Sequence, residues 1–371
     1  MNVSGIHHPI DRPRHSPLNT LKRTVKEAVK QTLISRWMSS AWTPLIRDRA
    51  PFVMLHRFAE PEHGLFGHDR ALFRRALERL RRDGYAMLTV TEAVHRLTEG
   101  RGFPRRSVVF TMDDGYRGAL EQSVDLFQAY DCPLTVFVTT GFVDGSCWLW
   151  WDQIEYVCLG SRRKSIDVGW NDSIVRLELG DGRTTIDTLL QTCEWCKTLP
   201  DEEKWRFIRS LADAAEIEIP SRAPAQYAPL TWSEMRALEG KGIAFGPHTV
   251  THPILPKVDD RQAEWEIAES CARVRGELAR PVEVFAYPNG AYGSRETDIL
   301  ARVGMQGAVT TRGAYASSAE TDVASASRFA IPRFGYPETP DALVMITSGF
   351  RSIGLSFAGL RGNQITRGER L

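Results

Sequence analysis

Features that would assign the chain to a class at once are scarce. Only 6 of 371 residues are cysteine, too few for a disulfide framework. Neither sign of charge prevails: 47 Lys and Arg stand against 46 Asp and Glu, a net +1. That balance lacks the cation excess on which a dedicated nucleic-acid binder depends. No apolar run approaches the roughly 18–20 residues of a membrane span. A phosphate-binding glycine loop, an HExxH segment and a GxSxG segment are all missing, so nucleotide use and serine chemistry have no support. What is present is globular material, 42% hydrophobic and 25% charged. This is enough for a large catalytic domain and argues against disorder or coiled coil.

Residues 1–50 differ from the rest. Between Met1 and Arg49, nine Lys and Arg face three acids. Leu21, Val25, Val29, Leu33 and Trp37 recur every four residues, a helical stripe among basic side chains. Such a helix either packs on the main domain or makes weak contact with an anionic membrane surface. No apolar stretch follows the early charges, so a cleaved secretory signal is not expected. The expected location is the cytoplasm, peripheral to the inner membrane face if the helix meets lipid; scattered unpaired thiols agree with it. Residues 341–371 read as a C-terminal tail.

From Phe52 the chain alternates short apolar runs with helical segments. Candidate strands are Phe52–His56, Tyr85–Thr89, Ser107–Met112, Leu134–Thr140, Gly242–Gly246, Val282–Tyr287 and Gly307–Thr311. Helical patterns cover His68–Asp83, Thr91–Glu99, Arg117–Tyr130, Thr231–Gly240, Asp259–Arg280 and Ser294–Gly304. The alternation predicts an α/β fold with a mostly parallel sheet, and about seven strands suit a barrel with its chemistry at the strands' carboxyl ends. An open doubly wound sheet is the alternative. Residues 142–229 break the rhythm and read as an inserted, partly helical subdomain within a catalytic unit spanning 51–340.

Thr111-Met112-Asp113-Asp114-Gly115-Tyr116 follows the apolar run Val108-Val109-Phe110. Adjacent carboxylates at a strand end repel one another, and burial penalises both, so a bound cation is the usual compensator. Neighbouring residues there point in different directions, so one acid can ligate a metal while the other faces substrate. The plainer reading is an Asp-Asp-Gly turn capping the next helix. His248 and His252, in Gly246-Pro247-His248-Thr249-Val250-Thr251-His252-Pro253, also lie at a strand end and at a spacing that one metal can bridge. An Asp-His-His set with open positions suits a catalytic zinc ion that holds a water.

Thr111–Tyr116, His248–Pro253 and Phe285-Ala286-Tyr287-Pro288-Asn289-Gly290 resemble the first three motifs of the polysaccharide deacetylase family, the NodB-homology domain or carbohydrate esterase family 4. The resemblance spans roughly Pro51 to Tyr336 and is weakest in the insertion. It implies a distorted (β/α) barrel and a metal-dependent hydrolase that removes N-acetyl groups, sometimes O-acetyl groups, from sugars. It further implies that Asp113 is the general base and that Asp114, His248 and His252 hold a divalent metal ion, most simply zinc. Tyr116, Tyr287, Pro288, Asn289 and Gly290 become expected substrate contacts, with a backbone N–H near Asn289 on the oxyanion.

Two departures from the family pattern shape the expectations. Members commonly supply the general acid from a Leu-x-His motif near the carboxyl end, whereas the last histidine here is His252. Met54-Leu55-His56-Arg57-Phe58 is similar to an early histidine motif in the poly-N-acetylglucosamine deacetylase branch, so His56 is the expected acid, with His63 and His68 as fallbacks. The third motif also lacks the arginine that orients the base. Arg333, in Ile331-Pro332-Arg333-Phe334, is the candidate replacement, against an ordinary barrel-closing arginine.

In Trp148-Leu149-Trp150-Trp151-Asp152 the flat rings suit a sugar subsite, with Trp151 as its wall, or form the insertion's core. Asp152 could orient His56 or cap a helix. Cys193-Glu194-Trp195-Cys196 has half-zinc-site spacing but no second pair. The expected activity is N-deacetylation of an oligo- or polysaccharide, in surface-polysaccharide synthesis. The alternatives are hydrolysis of a different amide, such as a formamido-sugar or a small non-sugar amide, and a catalytically inactive barrel that binds glycans.

Overall fold

A computed structural model describes residues 46–180, 182–317 and 327–351. The basic helix expected near residues 21–37 lies outside them, as does most of the expected tail. Twelve strands follow in chain order: β1 (Arg49–Ala50), β2 (Phe52–Leu55), β3 (Ala86–Leu88), β4 (Ser107–Met112), β5 (Leu134–Val138), β6 (Ser165–Trp170), β7 (Ser173–Glu178), β8 (Ile243–Pro247), β9 (Val284–Ala286), β10 (Gly307–Val309), β11 (Ala316–Ser317) and β12 (Phe334–Gly335).

Every residue of β2, β4 and β5 is buried, as expected of parallel strands covered by helices on both faces. The main sheet runs β12-β2-β4-β5-β8, all parallel. Short runs of backbone bonds carry the arrangement onward as a distorted (β/α) barrel. Val282 N–H donates to Phe245 O at 2.7 Å, β9 and β10 form a parallel pair, and Ile331 N–H donates to Ala308 O at 2.9 Å. The chain then runs from Ile331 into β12, which pairs with β2.

One expected strand plays a lesser part. β3 pairs only with the first half of β4, ending at Leu88 opposite Val109. It never reaches the carboxyl end, and the segment from Ile331 to Gly335 takes the remaining place beside β2. Because the paired strands of the main sheet run parallel, the residues after β2, β4 and β8 emerge at one end of it.

The helices that cover the sheet are specified locally. Helix Arg70–Arg82 is capped by Asp69, whose carboxylate accepts from Leu72 N–H at 2.8 Å, and it buries Phe73, Ala76, Leu77 and Leu80 at helical spacing. Helix Trp232–Leu238 opens on a Thr231–Glu234 capping box. The expected helix over Arg117–Tyr130 is instead two short ones, Arg117–Glu121 and Val124–Ala129. They break at Ser123, whose hydroxyl turns back to donate to Ala119 O. The segment read as a tail begins with helix Pro340–Thr347, which buries Leu343 and Ile346 and packs on helix Arg70–Arg82.

The insertion holds helices Trp150–Gly160, Gly182–Cys196 and Asp201–Ala215 and an unanticipated hairpin, β6–β7. Its Ile154, Val157, Ile166, Leu189, Phe207 and Leu211 share one continuous hydrophobic core with Val53, Phe110 and Val136 of the sheet. Cys193 and Cys196 are buried thiols on one helix, with burial pushing Cys196 up to about 12.

Candidate metal centre and active site

The acid pair ends β4. Asp113 N–H still bonds to Leu55 O at 3.0 Å, but Asp114 and Gly115 turn into the left-handed region at φ 75° and 89°. A side chain at Gly115 would also stand 2.9 Å from Val138 Cγ1, so glycine is required there. The pair does not cap the following helix, whose N-cap is Tyr116 without a side-chain bond. Asp114, Thr249, His252 and Asn289 are all non-glycine residues with positive φ. Left-handed backbone costs roughly 1–2 kcal/mol per residue, and here it gathers where three loops meet, as at functional sites.

His248 and His252 do not lie on a helical turn. They flank a loop with φ 66° at Thr249 and 59° at His252. The segment after β5 straps this loop: Thr140 N–H donates to Thr249 O at 3.0 Å and Gly141 N–H to Val250 O at 2.8 Å. Behind it stands Glu266, wholly buried. Its carboxylate accepts from Val250 N–H at 2.7 Å and Thr251 N–H at 2.9 Å, and from the Thr251 hydroxyl.

The loop aims both imidazoles at Asp114. Asp114 Oδ1 lies 3.7 Å from His248 Nε2 and 3.6 Å from His252 Nε2, too far for hydrogen bonds. Donor atoms around a tetrahedral ion at about 2.0–2.1 Å would stand roughly 3.3–3.5 Å apart. The three residues are buried, and their candidate donor atoms fall within 4.8 Å of one another. His248 Nδ1 bonds to Ala286 O at 2.7 Å, which leaves the Nε2 lone pair free to ligate. Burial, and next the charge of Asp113, push the Asp114 carboxyl well above its ordinary range. Burial lowers both imidazoles, that of His252 far below its usual value. Two neutral imidazoles and a carboxylate that gains from a nearby cation are a donor set fitted to a divalent metal.

Asp113 is held differently. Arg333, wholly buried, grips it with two parallel bonds, NH1 to Oδ1 at 2.7 Å and NH2 to Oδ2 at 2.6 Å. The same guanidinium donates to Thr111 Oγ1 at 3.0 Å and Thr310 O at 3.1 Å. Burial would raise the Asp113 carboxyl, but Arg333, then His248, holds it below the ordinary value. It is therefore ionised beside the triad.

His56 follows β2 and is half-buried. Burial lowers it to about 4, against the charge of Asp113, and it senses Arg333 and His248 as well, so it shares the site. The fallback candidates serve otherwise. His63 is exposed, and His68 packs edge-on against Phe58 and Tyr336.

The expected substrate contacts divide. Asn289 and Gly290 keep some exposed surface, in a turn bonded to Thr311 Oγ1 through Asn289 O. Tyr116, Trp151, Tyr287 and Pro288 are buried, which makes them inner walls rather than open sugar contacts. Trp151 Nε1 donates to Tyr116 OH at 2.9 Å, and that hydroxyl donates to Asp152 Oδ2 at 2.7 Å. Asp152 neither orients His56 nor caps its helix; it binds Arg57 at 3.1 Å. Sequence reasoning missed Arg57, Glu155 and Glu266. Glu155 and Glu266 carried a signal, a charge on a buried helix face, as at Glu266 among Ala263, Ile267 and Cys271; Arg57, in the loop after β2, carried none.

A family profile described as polysaccharide deacetylase matches residues 100–163 and 205–308. The matched stretches contain the acid pair, both histidines and the Asn289 turn. PplD, a Streptococcus pyogenes deacetylase solved with acetate, superposes with a TM-score of 0.53 at 18% identity, covering 81% of this chain and 98% of its own. IcaB from Ammonifex degensii gives 0.51 at 16%, covering 81% and 97%. A polysaccharide deacetylase from Bacillus cereus gives 0.51 at 14%, covering 81% and 69%. At these identities the likeness is one of fold. No curated protein matches the chain.

Proposed function

Since the chain belongs to the polysaccharide deacetylase family, we propose that it is a metal-dependent hydrolase. It removes N-acetyl groups from the N-acetylated sugars of an oligo- or polysaccharide, in the synthesis of a surface polysaccharide. The observation that carries this reading is an ionised Asp113, clamped by Arg333, directly beside the Asp114–His248–His252 cluster. The acetate in the Streptococcus pyogenes structure is what such a reaction would release.

Asp114, His248 and His252 would hold the divalent ion, zinc by the chemistry of the donor set. When bound, such an ion supplies Lewis acidity and brings the pKa of water toward about 7. Asp113 is the general base that takes the proton from the attacking water, and Arg333 fixes both of its oxygens so that the carboxylate keeps one orientation. A backbone N–H near Asn289 receives the oxyanion, that of Gly290 being engaged with Tyr287 O. His56 is the general acid that returns a proton to the departing amine nitrogen. Half-buried and neutral in the resting site, it passes on to the nitrogen the proton that Asp113 has taken from the water, which leaves Asp113 ionised again. With base, acid and three ligands in one place, the site is better suited to turnover than to inert glycan binding.

The reading is tested by acetate release from N-acetylglucosamine oligomers, with and without chelation and zinc replacement. Chelation should abolish release and zinc restore it. Metal-independent release, or formate release from formylated sugars in its place, would overturn the assignment.

A further inference from the structure

His248 is oriented by the bond from Nδ1 to Ala286 O. His252 has no equivalent: among the described residues its Nδ1 is buried and without a hydrogen-bond partner. Its ring meets other rings instead. Trp151 stands edge-on at 4.6 Å between centroids and 73° between planes, and His248 lies at 4.7 Å.

Trp151 is itself pinned by a directional chain. Its N–H can only donate and the Asp152 carboxylate, ionised against Arg57, can only accept, so the Tyr116 hydroxyl between them has one arrangement that satisfies both. Arg57 closes the chain, donating to Asp152 Oδ1 at 3.1 Å and to Glu155 Oε2 at 3.0 and 3.1 Å. Its guanidinium also lies 5.3 Å from the centre of the Tyr116 ring. Trp151, Tyr116, Asp152 and Glu155 are all buried. The chain starts at the residue next to His56 and ends on His252, and Trp151, Asp152 and Glu155 all come from helix Trp150–Gly160 of the insertion.

We propose that Trp151 is the positioning residue for His252, with packing replacing the missing hydrogen bond, and that Tyr116, Asp152 and Arg57 hold the indole in place. An imidazole with one free nitrogen is otherwise restrained only by its neighbours, and aiming Nε2 requires a fixed ring plane. The insertion is then part of the metal site rather than an appendage. This inference rests on the metal reading above.

The test uses the full chain as wild type, Tyr116→Phe, Trp151→Phe and the double variant. Zinc is titrated into metal-free protein against a chromophoric chelator, and the visible spectrum of the cobalt-loaded protein is recorded. Each single variant should weaken zinc binding by about 10–100-fold and shift the cobalt bands. The double variant should bind no more weakly than the weaker single, because both cut one chain. Loss of general packing would lower the melting temperature of metal-free protein yet leave the cobalt bands of bound protein unmoved. That pattern, or wild-type affinity in the variants, would overturn the proposal; if Trp151→Phe does not fold, Tyr116→Phe decides. A wild type that takes up neither zinc nor cobalt overturns the metal reading and this inference together, whereas normal uptake by the variants overturns this inference only.

Discussion

Replacing Arg333 with methionine keeps much of the side chain's length but strips Asp113 of its counter-ion in a fully buried setting. Four hydrogen bonds go with the guanidinium, two to the Asp113 carboxylate and one each to Thr111 and Thr310. Removing one partner of a buried pair costs about 3–5 kcal/mol, a large share of the roughly 5–15 kcal/mol that holds a domain folded. The sign of the pH dependence should also reverse. In the wild type the depressed Asp113 value means a contribution that is full above the unfolded pKa of about 3.9 and lost as pH falls through the lower folded value. Without Arg333, burial outweighs the remaining pull of His248 and His56 and lifts the carboxyl above its unfolded value. Its favourable contribution then exists below about pH 3.9 and disappears as pH rises through the raised value. The stability gap between wild type and Arg333→Met, measured by urea denaturation, should therefore be wider near neutrality than at about pH 4. The acid limb of kcat/KM should move upward, since the base protonates sooner. Arg333→Lys, which keeps the charge but not the two-pronged grip, should fall between. An equal gap at both pH values together with an unmoved acid limb would refute the reasoning.

Other substitutions separate the roles. Asp113→Asn should keep its metal and lose about 10²–10⁴ in turnover; activity near wild type would remove it as the base. His56→Ala should slow turnover by a similar factor with metal content unchanged, and wild-type rates would assign the acid elsewhere. Glu266→Ala orphans the Val250 and Thr251 N–H groups, at about 1–3 kcal/mol each. Thermal melting should show a loss of roughly 2–6 kcal/mol, and an unchanged melt would show that the carboxylate does not brace the histidine loop.

The chemistry was more legible in the sequence than the scaffold around it. The carboxylate pair and the spaced histidines stood at the ends of apolar runs, and burial of charge at such places needs a cation or a counter-charge, which is why these groups converge. Arg333 was legible only as an arginine after a late apolar run; its bidentate grip depends on how Ile331–Gly335 slots beside β2, which no local pattern encodes. β3 read as a full strand because its composition is strand-like, yet its length stops it short of the functional end. The β6–β7 hairpin did carry a signal: residues 165–170 alternate in burial, and Asn171-Asp172, both with positive φ, make the turn. The Trp cluster hid that alternation within a segment read as helical. Trp151 reads as a sugar wall because flat rings suit sugars, and Tyr116 as a substrate contact through the family resemblance, but their polar atoms face each other and Asp152. Only tertiary placement reveals that arrangement.

The most direct test is the divalent-metal content of the purified protein, measured for wild type, Asp113→Asn, Asp114→Ala and His252→Ala, with acetate release recorded on the same samples. The structure predicts one ion per chain in wild type and Asp113→Asn, little or none in Asp114→Ala and His252→Ala, and acetate release from wild type alone. Full metal occupancy in Asp114→Ala and His252→Ala would contradict it.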